Sequence, residues 1–117
     1  MDIFADAKEN EAFRRVIATG EHSQVVLMTI PPGGDIGEEV HRVDQTLVFV
    51  EGDGSAIISG ETTPIHTGSL AFVPAGTKHN FINTGSSPLR LFTIYAPPQH
   101  APGTVQQTKA DAEAAQH

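Results

Sequence analysis

The sequence predicts an all-β domain, an antiparallel sandwich or barrel. Short runs rich in β-branched and aromatic residues recur along the chain, and clusters of Gly and Pro separate them. The chain holds 11 Gly and 8 Pro in 117 residues, enough for many tight turns. Helix-like patterning is confined to the two ends. Regularly spaced short strands with turn signals between them are the pattern of a closed or double-layered antiparallel fold.

Each element follows from its residues. Asp6 to Phe13 is compatible with a helical turn or two, so residues 1–12 form an N-terminal extension. Phe13 to Ala18 is a short mixed strand ending at Thr19-Gly20. Gln24 to Ile30 (QVVLMTI) is β-branched and apolar, and Pro31-Pro32-Gly33-Gly34 stops it. Thr46 to Val50 (TLVFV) leads to Glu51-Gly52-Asp53-Gly54, a hairpin signal. Ser55 to Ser59 returns to a turn at Gly60-Glu61, and Pro64-Ile65-His66 is a short strand closed by Thr67-Gly68. Leu70 to Val73 runs into Pro74-Ala75-Gly76. His79 to Asn83 follows, then the turn Thr84-Gly85-Ser86-Ser87, and Leu89 to Tyr95 (LRLFTIY) is the last strand of a barrel spanning 13–96. Residues 97–117 are a Pro-rich tail ending in a short Ala-rich segment, with Thr108 as N-cap. Such a segment is too short to stand alone as a helix in water, so it docks or frays.

Bulk composition narrows the function. The length suits one domain able to bury a core without staples. With no Cys, disulfides and thiolate chemistry are excluded. A net charge of −7 with 7 Lys and Arg disfavours nucleic acid as a partner. No apolar run is long enough for a membrane span, and no basic-then-apolar leader is present, so the expected location is the cytoplasm.

The chemistry concentrates in GEEVHRVDQ, residues 37–45. In an extended chain Glu39, His41, Gln45, Leu47 and Phe49 leave by one face. That face begins polar and ends apolar, as in a barrel strand with a polar mouth and a core floor. Glu39 and His41 can grip one ion from the same side. Gln45 lies at the far limit for the same ion, and a bend or bulge near Arg42-Val43 would help bring it in. A fourth ligand must come from elsewhere, and His79, opening an apolar strand after a Pro-Ala-Gly turn, is the best candidate. The alternative is three polar groups on a wet surface. His22, His66, His100 and His117 are read as solvated, with His66 a lesser candidate behind the site. Glu38 and Asp44 face away. Thr93 and Tyr95 point inward with Leu91.

Two longer patterns bear on this stretch. Gly33, five residues, Glu39, Val40, His41, three residues, Gln45, six residues and Gly52 form one. Gly68, five residues, Pro74, Ala75, Gly76, two residues, His79, three residues and Asn83 form the other. The chain thereby resembles the cupin superfamily, small β-barrels of the double-stranded β-helix or jelly-roll kind. Its two motifs, G-x5-H-x-H-x3,4-E-x6-G and G-x5-P-x-G-x2-H-x3-N, match here in every spacing. The resemblance implies a single-domain cupin with short terminal extensions. It also implies a metal held by the residues at the motif positions, here Glu39, His41, Gln45 and His79. Two of these depart from the family set: Glu39 stands where the first His is usual, and Gln45 where the Glu is usual. Both sets carry one anionic ligand. A mixed N/O site of this kind suits a divalent transition metal, with Mn or Fe favoured and Zn, Ni or Co possible.

Three functions fit the resemblance. The first is a metal-dependent enzyme acting as Lewis acid or redox centre on a small polar substrate, as a lyase, isomerase or dioxygenase. Some similar small cupins with Gln at the Glu position are manganese-dependent lyases of cyanohydrins. The second is a barrel that binds a sugar or small acid without chemistry. The third is a structural barrel with a vestigial metal site. No general acid or base is assigned: Glu39 serves if it is not a ligand, and Tyr95 is a lesser candidate. The expected pocket walls are Met28, Leu47, Phe49, Phe72, Phe81 and Phe92. Apolar residues on both strand faces, and the resemblance, imply a homodimer, with the tail reaching over the partner or lidding the barrel mouth.

Overall fold

The computed structural model describes residues 1–115. Helix α1 (Ile3–Glu9) is followed by β1 (Arg14–Thr19), β2 (Gln24–Ile30), β3 (Asp44–Glu51), β4 (Gly54–Ile58), β5 (Glu61–Ile65), β6 (Leu70–Val73), β7 (His79–Asn83), β8 (Leu89–Ala96), β9 (Val105–Gln106) and α2 (Lys109–Ala114). A six-stranded sheet in the order β6-β3-β8-β2-β1-β9 faces a three-stranded sheet, β5-β4-β7. All pairings are antiparallel. The two sheets enclose the core: Met28, Leu47, Phe49, Phe81, Leu91 and Tyr95 are each no more than 1% exposed.

Several expectations need correcting. Glu51 to Gly54 is no hairpin, because β3 and β4 belong to different sheets; the chain turns a corner there. The corner requires glycine. Gly52 has φ +105°, and a Cβ on it would lie 2.8 Å from the Pro88 carbonyl oxygen. The turn expected at Gly60-Glu61 is one residue earlier: Ser59 and Gly60 both have positive φ, 52° and 84°, and Glu61 already opens β5. The N-terminal helix lies earlier than the 6–13 stretch suggests. Asp2 caps it by accepting from the Ala5 amide, and Asn10 ends it by folding its side chain onto Ala12 and Thr29.

Helix α1 also changes what covers the large sheet. Ala7 packs with Leu27 and Val50, and Phe4 meets Phe92 edge-on at 6.3 Å between ring centroids. Part of the second apolar face is thus covered by the chain itself. Phe92 therefore belongs to the outer layer, and Phe72 is 51% exposed. Neither lines the barrel interior: Phe72 pairs with Thr46 and Phe92 with Val48, and both partners point to the outer face of β3.

The tail is more ordered than its composition suggests. Val105 and Gln106 add β9 beside β1, pairing with Arg15 and Arg14. Thr108 and Asp111 form a reciprocal capping box on α2. Ala112 of that helix is buried in the main core, and Lys109 pairs with Asp35. So α2 docks rather than frays, and the tail closes over the mouth of its own barrel. His117 lies outside the described residues.

Candidate metal centre

The opening stretch does not run as one strand. Residues 35–39 pair with β7, through bridges Asp35 to Ile82 and Glu39 to His79. The chain bends at Arg42-Val43 and enters the large sheet at Asp44. The bend falls at the two residues where one would help bring Gln45 toward Glu39 and His41. It lets Glu39 stand on the small-sheet side and Gln45 on the large-sheet side of the same mouth. The Gly76 amide donates to the His41 carbonyl at 2.7 Å, so the Pro-Ala-Gly turn fixes the backbone at the bend.

Glu39, His41 and His79 are neighbours, and Gln45 is joined to them through Tyr95. His41 Nε2 is 3.5 Å from Glu39 Oε2, and the His41 and His79 rings are 5.2 Å apart between centroids. His41 lies edge-on to Tyr95 at 5.8 Å. Gln45 Nε2 donates to Thr93 Oγ1 at 3.1 Å and to the Tyr95 hydroxyl at 3.2 Å. With the amide nitrogen so placed, Gln45 Oε1 is buried without a partner. His79 Nδ1 is 2.8 Å from the Thr77 carbonyl, which can only accept. Nδ1 therefore carries a proton, and Nε2 is the ring nitrogen left for a ligand. Asn83 Nδ2 donates to Ile30 and Ser87 carbonyls, both at 2.9 Å, tying the loop after β7 to the end of β2.

Burial sets the protonation. It lowers the His41 pKa to about 4, with His79 and Arg14 adding in the same direction, so the ring is neutral at pH 7. Burial raises Glu39 above the ordinary carboxylate value, opposed by the charges of Arg14, His79 and Lys109. Burial pushes Tyr95 up to about 12.

A neutral imidazole, a second imidazole whose Nδ1 is held by a carbonyl, a carboxylate and an orphaned carbonyl oxygen are the donor chemistry of a divalent transition-metal site. Among the described residues, however, no three His, Asp or Glu side chains stand together closely enough to hold an ion as they are placed. The amide oxygen of Gln45 is the donor that could complete such a set.

Other residues at this mouth are not evident from local sequence. Arg14 is 3% exposed. Its Nη1 donates to Gln106 Oε1 at 2.7 Å, its guanidinium carbon lies 5.3 Å from the Phe13 ring centroid, and its Nε has no partner. The signal for it was parity, since Arg14 shares the inward face of β1 with Val16. His100 is not a solvated residue. Its backbone is held by Gln24, which accepts from His100 N at 3.0 Å and donates to His100 O at 2.7 Å. Its ring sits edge-on to Tyr95 at 5.2 Å, and its Nε2 is buried and unpartnered. Burial, reinforced by Arg14 and His41, lowers its pKa to about 4. No feature of the Pro-rich tail marks it. The tie is made by Gln24, itself 1% exposed. His66 does not join the site: its ring is exposed and 3.3 Å from Asp53. Glu38 pairs outward with Lys78 at 3.5 Å, and Asp44 accepts from the Ala75 amide at 2.9 Å.

Glu39, His41, Arg14 and His100 line one cavity of about 360 Å³ at the barrel mouth, closed on one side by Ala112 and Ala115 of the tail. His79 lines a separate cavity of about 260 Å³ with Glu38 and Lys78. Another of about 330 Å³, by Pro31, Pro88 and Lys109, touches none of Glu39, His41, Gln45 and His79.

Comparison with known proteins agrees with this architecture. YrkC of Bacillus subtilis is 47% identical over 117 aligned residues, covering 93% of this chain and 62% of YrkC. This chain thus spans less than two thirds of that relative's length. Protein L612 of Acanthamoeba polyphaga mimivirus is 34% identical, covering 90% of this chain and 69% of that protein. The crystal structure of BH2720 from Bacillus halodurans superposes with a TM-score of 0.96 at 45% identity, covering 97% of this chain and 92% of that one. The family model described as the cupin domain matches residues 26–95. That span runs from the second strand to Tyr95 and contains both histidine motifs: the chain belongs to the cupin family.

Proposed function

We propose that the chain is a divalent-metal-dependent enzyme acting on a small polar substrate at the barrel mouth. Its ligands are Glu39, His41, Gln45 and His79, and Mn or Fe is the favoured metal, ahead of Zn, Ni and Co. The observation that carries this is the buried Gln45 Oε1, left without a partner while Thr93 and Tyr95 hold the amide nitrogen. When bound, such an ion supplies Lewis acidity, or with Fe a redox centre, to a substrate oxygen, which suits lyase, isomerase or dioxygenase chemistry.

The chain's own residues do the rest. Thr77 fixes the His79 tautomer. Tyr95 keeps its phenol proton, because its pKa of about 12 lies far above neutrality, and so can donate a hydrogen bond. The docked tail excludes bulk water from one side of the mouth. If Glu39 does not ligate, its raised carboxyl makes it the general base. A second reading, a non-catalytic barrel binding a sugar or small acid, is favoured by the spacing of the acidic and imidazole groups, which does not close around an ion.

The deciding experiment is elemental analysis of protein purified without a His-tag column, alongside Gln45→Ala and His79→Ala. Near-stoichiometric metal that drops in both variants supports the site. Absence of metal, with no thermal stabilisation by any added ion, rejects it. We also propose a homodimer, supported by exposed Leu70 and Phe72 on the edge strand β6. Light scattering giving a monomer mass would reject that.

A further inference from the structure

Three buried side-chain atoms lack a hydrogen-bond partner among the described residues: Arg14 Nε, Gln45 Oε1 and His100 Nε2. All three belong to the barrel mouth. Gln45 Oε1 is accounted for by the proposed metal. The other two belong to side chains lining one cavity, from opposite ends of the chain. We propose that this cavity is a recognition pocket for the carboxylate of a small organic acid, with Arg14 as its charged anchor and His100 as its second contact. The inference deepens the metal-enzyme reading by naming a substrate class for the same mouth.

Arg14 is a cation 3% exposed, with no carboxylate in salt-bridge contact among the described residues. A buried charge is tolerated when something of opposite sign completes it. Glu39 is the anion whose field reaches Arg14, and under the proposed reading its charge is committed to the metal. A ligand must then bring the missing negative charge. The shape of the donor set points to a carboxylate. Gln106 accepts from Nη1 and orients the guanidinium, while Nε is left without a partner. A carboxylate is the anion whose two oxygens suit a guanidinium. A single buried guanidinium beside neutral amides matches one negative charge rather than the two of a phosphate monoester. The cavity, about 360 Å³, suits an acid of a few carbons. Because Glu39 and His41 line the same cavity, a hydroxyl or carbonyl near the carboxylate would reach the metal side while Arg14 holds the acid group.

The sequence carries the second contact on the tail. Gln24 binds the backbone of both Gln99 and His100, at 3.2 and 3.0 Å, so the His100 ring is placed by the body of the barrel. The tail thus supplies part of the pocket as well as its cover.

The test is isothermal titration of the metal-free protein and of the Mn-loaded protein with sodium lactate and sodium pyruvate. Lactamide serves as the uncharged counterpart and inorganic phosphate as the competing anion. Binding of lactate or pyruvate, with lactamide at least about tenfold weaker, is expected in the Mn-loaded form. Weaker acid binding is expected in the metal-free form, where the charge of Glu39 is not committed to a metal. Arg14→Lys, which keeps charge but loses the planar fork, should weaken binding about tenfold, and His100→Gln by a smaller factor with its melting temperature retained. Equal affinity for lactamide, preference for phosphate, or unchanged affinity in His100→Gln would overturn the proposal. The His100 variant decides even where Arg14→Lys fails to fold. Acid binding by parent protein that carries no metal and is not stabilised by any added ion supports this pocket while rejecting the metal reading. Metal retention without any acid binding does the reverse.

Discussion

Glu39 and His79 face each other across an antiparallel bridge, each amide donating to the other's carbonyl, at 2.9 and 3.0 Å. Residues paired this way project their side chains to one side of the sheet. The carboxylate at the position usually held by the first motif histidine is therefore locked beside the second-motif histidine by backbone geometry. Glu39→Gln keeps shape and removes charge. As a ligand change it should lower metal affinity about tenfold or more, measured by competition with a chromophoric chelator. If metal content is retained while turnover collapses, Glu39 is the base and the ligand assignment fails.

Asn83 makes three hydrogen bonds at 1% exposure: two donated to Ile30 and Ser87, one accepted from Gly85 N at 2.9 Å. Asn83→Ala leaves buried carbonyls unpaired at the junction of β2, β7 and β8. A loss of about 2–3 kcal/mol in urea unfolding is expected. A loss below about 0.5 kcal/mol would show that water replaces the amide without cost.

Much of this fold was legible because period-two patterning and Gly-Pro punctuation report local backbone state. Gln24–Ile30, Leu70–Val73 and His79–Asn83 were read to the residue. What local signals do not carry is which sheet a strand joins. Glu51 to Gly54 looks like a hairpin turn, and only the pairing of β4 with β5 and β7 makes it a corner. The motif side chains were legible through spacing. Arg14 and His100 were not, because their burial depends on β9 and Gln24, contacts that span 92 and 76 residues. The ring of His100 belongs to the mouth only after the tail has folded back.

Gly52→Ala isolates the corner. The backbone there has φ +105°, and the added methyl would press on the Pro88 carbonyl and on Leu89 Cα at 3.0 Å. Both strain and contact oppose it, so destabilisation of about 2 kcal/mol or more is expected, since alanine at a positive-φ site costs more than the gain in chain entropy returns. Thermal melts of the metal-free variant measure this. An unchanged midpoint would mean the β3–β4 corner relaxes freely.

The metal-free protein should weaken in mild acid, and the sign follows from its imidazoles. His41 and His100 have folded pKa values of about 4, against 6.5 for an unperturbed imidazole. Between those values the unfolded chain binds protons that the folded chain refuses. Their contribution is therefore whole above 6.5 and is lost as pH falls through the folded value. Glu39 has the opposite sign. Its raised carboxyl favours folding below the ordinary 4.5 and gives that up as pH rises through its folded value. His100→Gln removes one titrating imidazole without touching the proposed ligands. Its urea midpoint should depend less steeply on pH between about 4 and 6.5 than that of the parent. An identical slope would show that the buried ring does not control acid stability. Added Mn competes with a proton for folded His41 only as pH nears about 4, so the thermal stabilisation it gives through that ligand should shrink there rather than at pH 6.5. Stabilisation by Mn that stays undiminished as pH falls from about 5 to below about 4 would remove His41 from the ligand set.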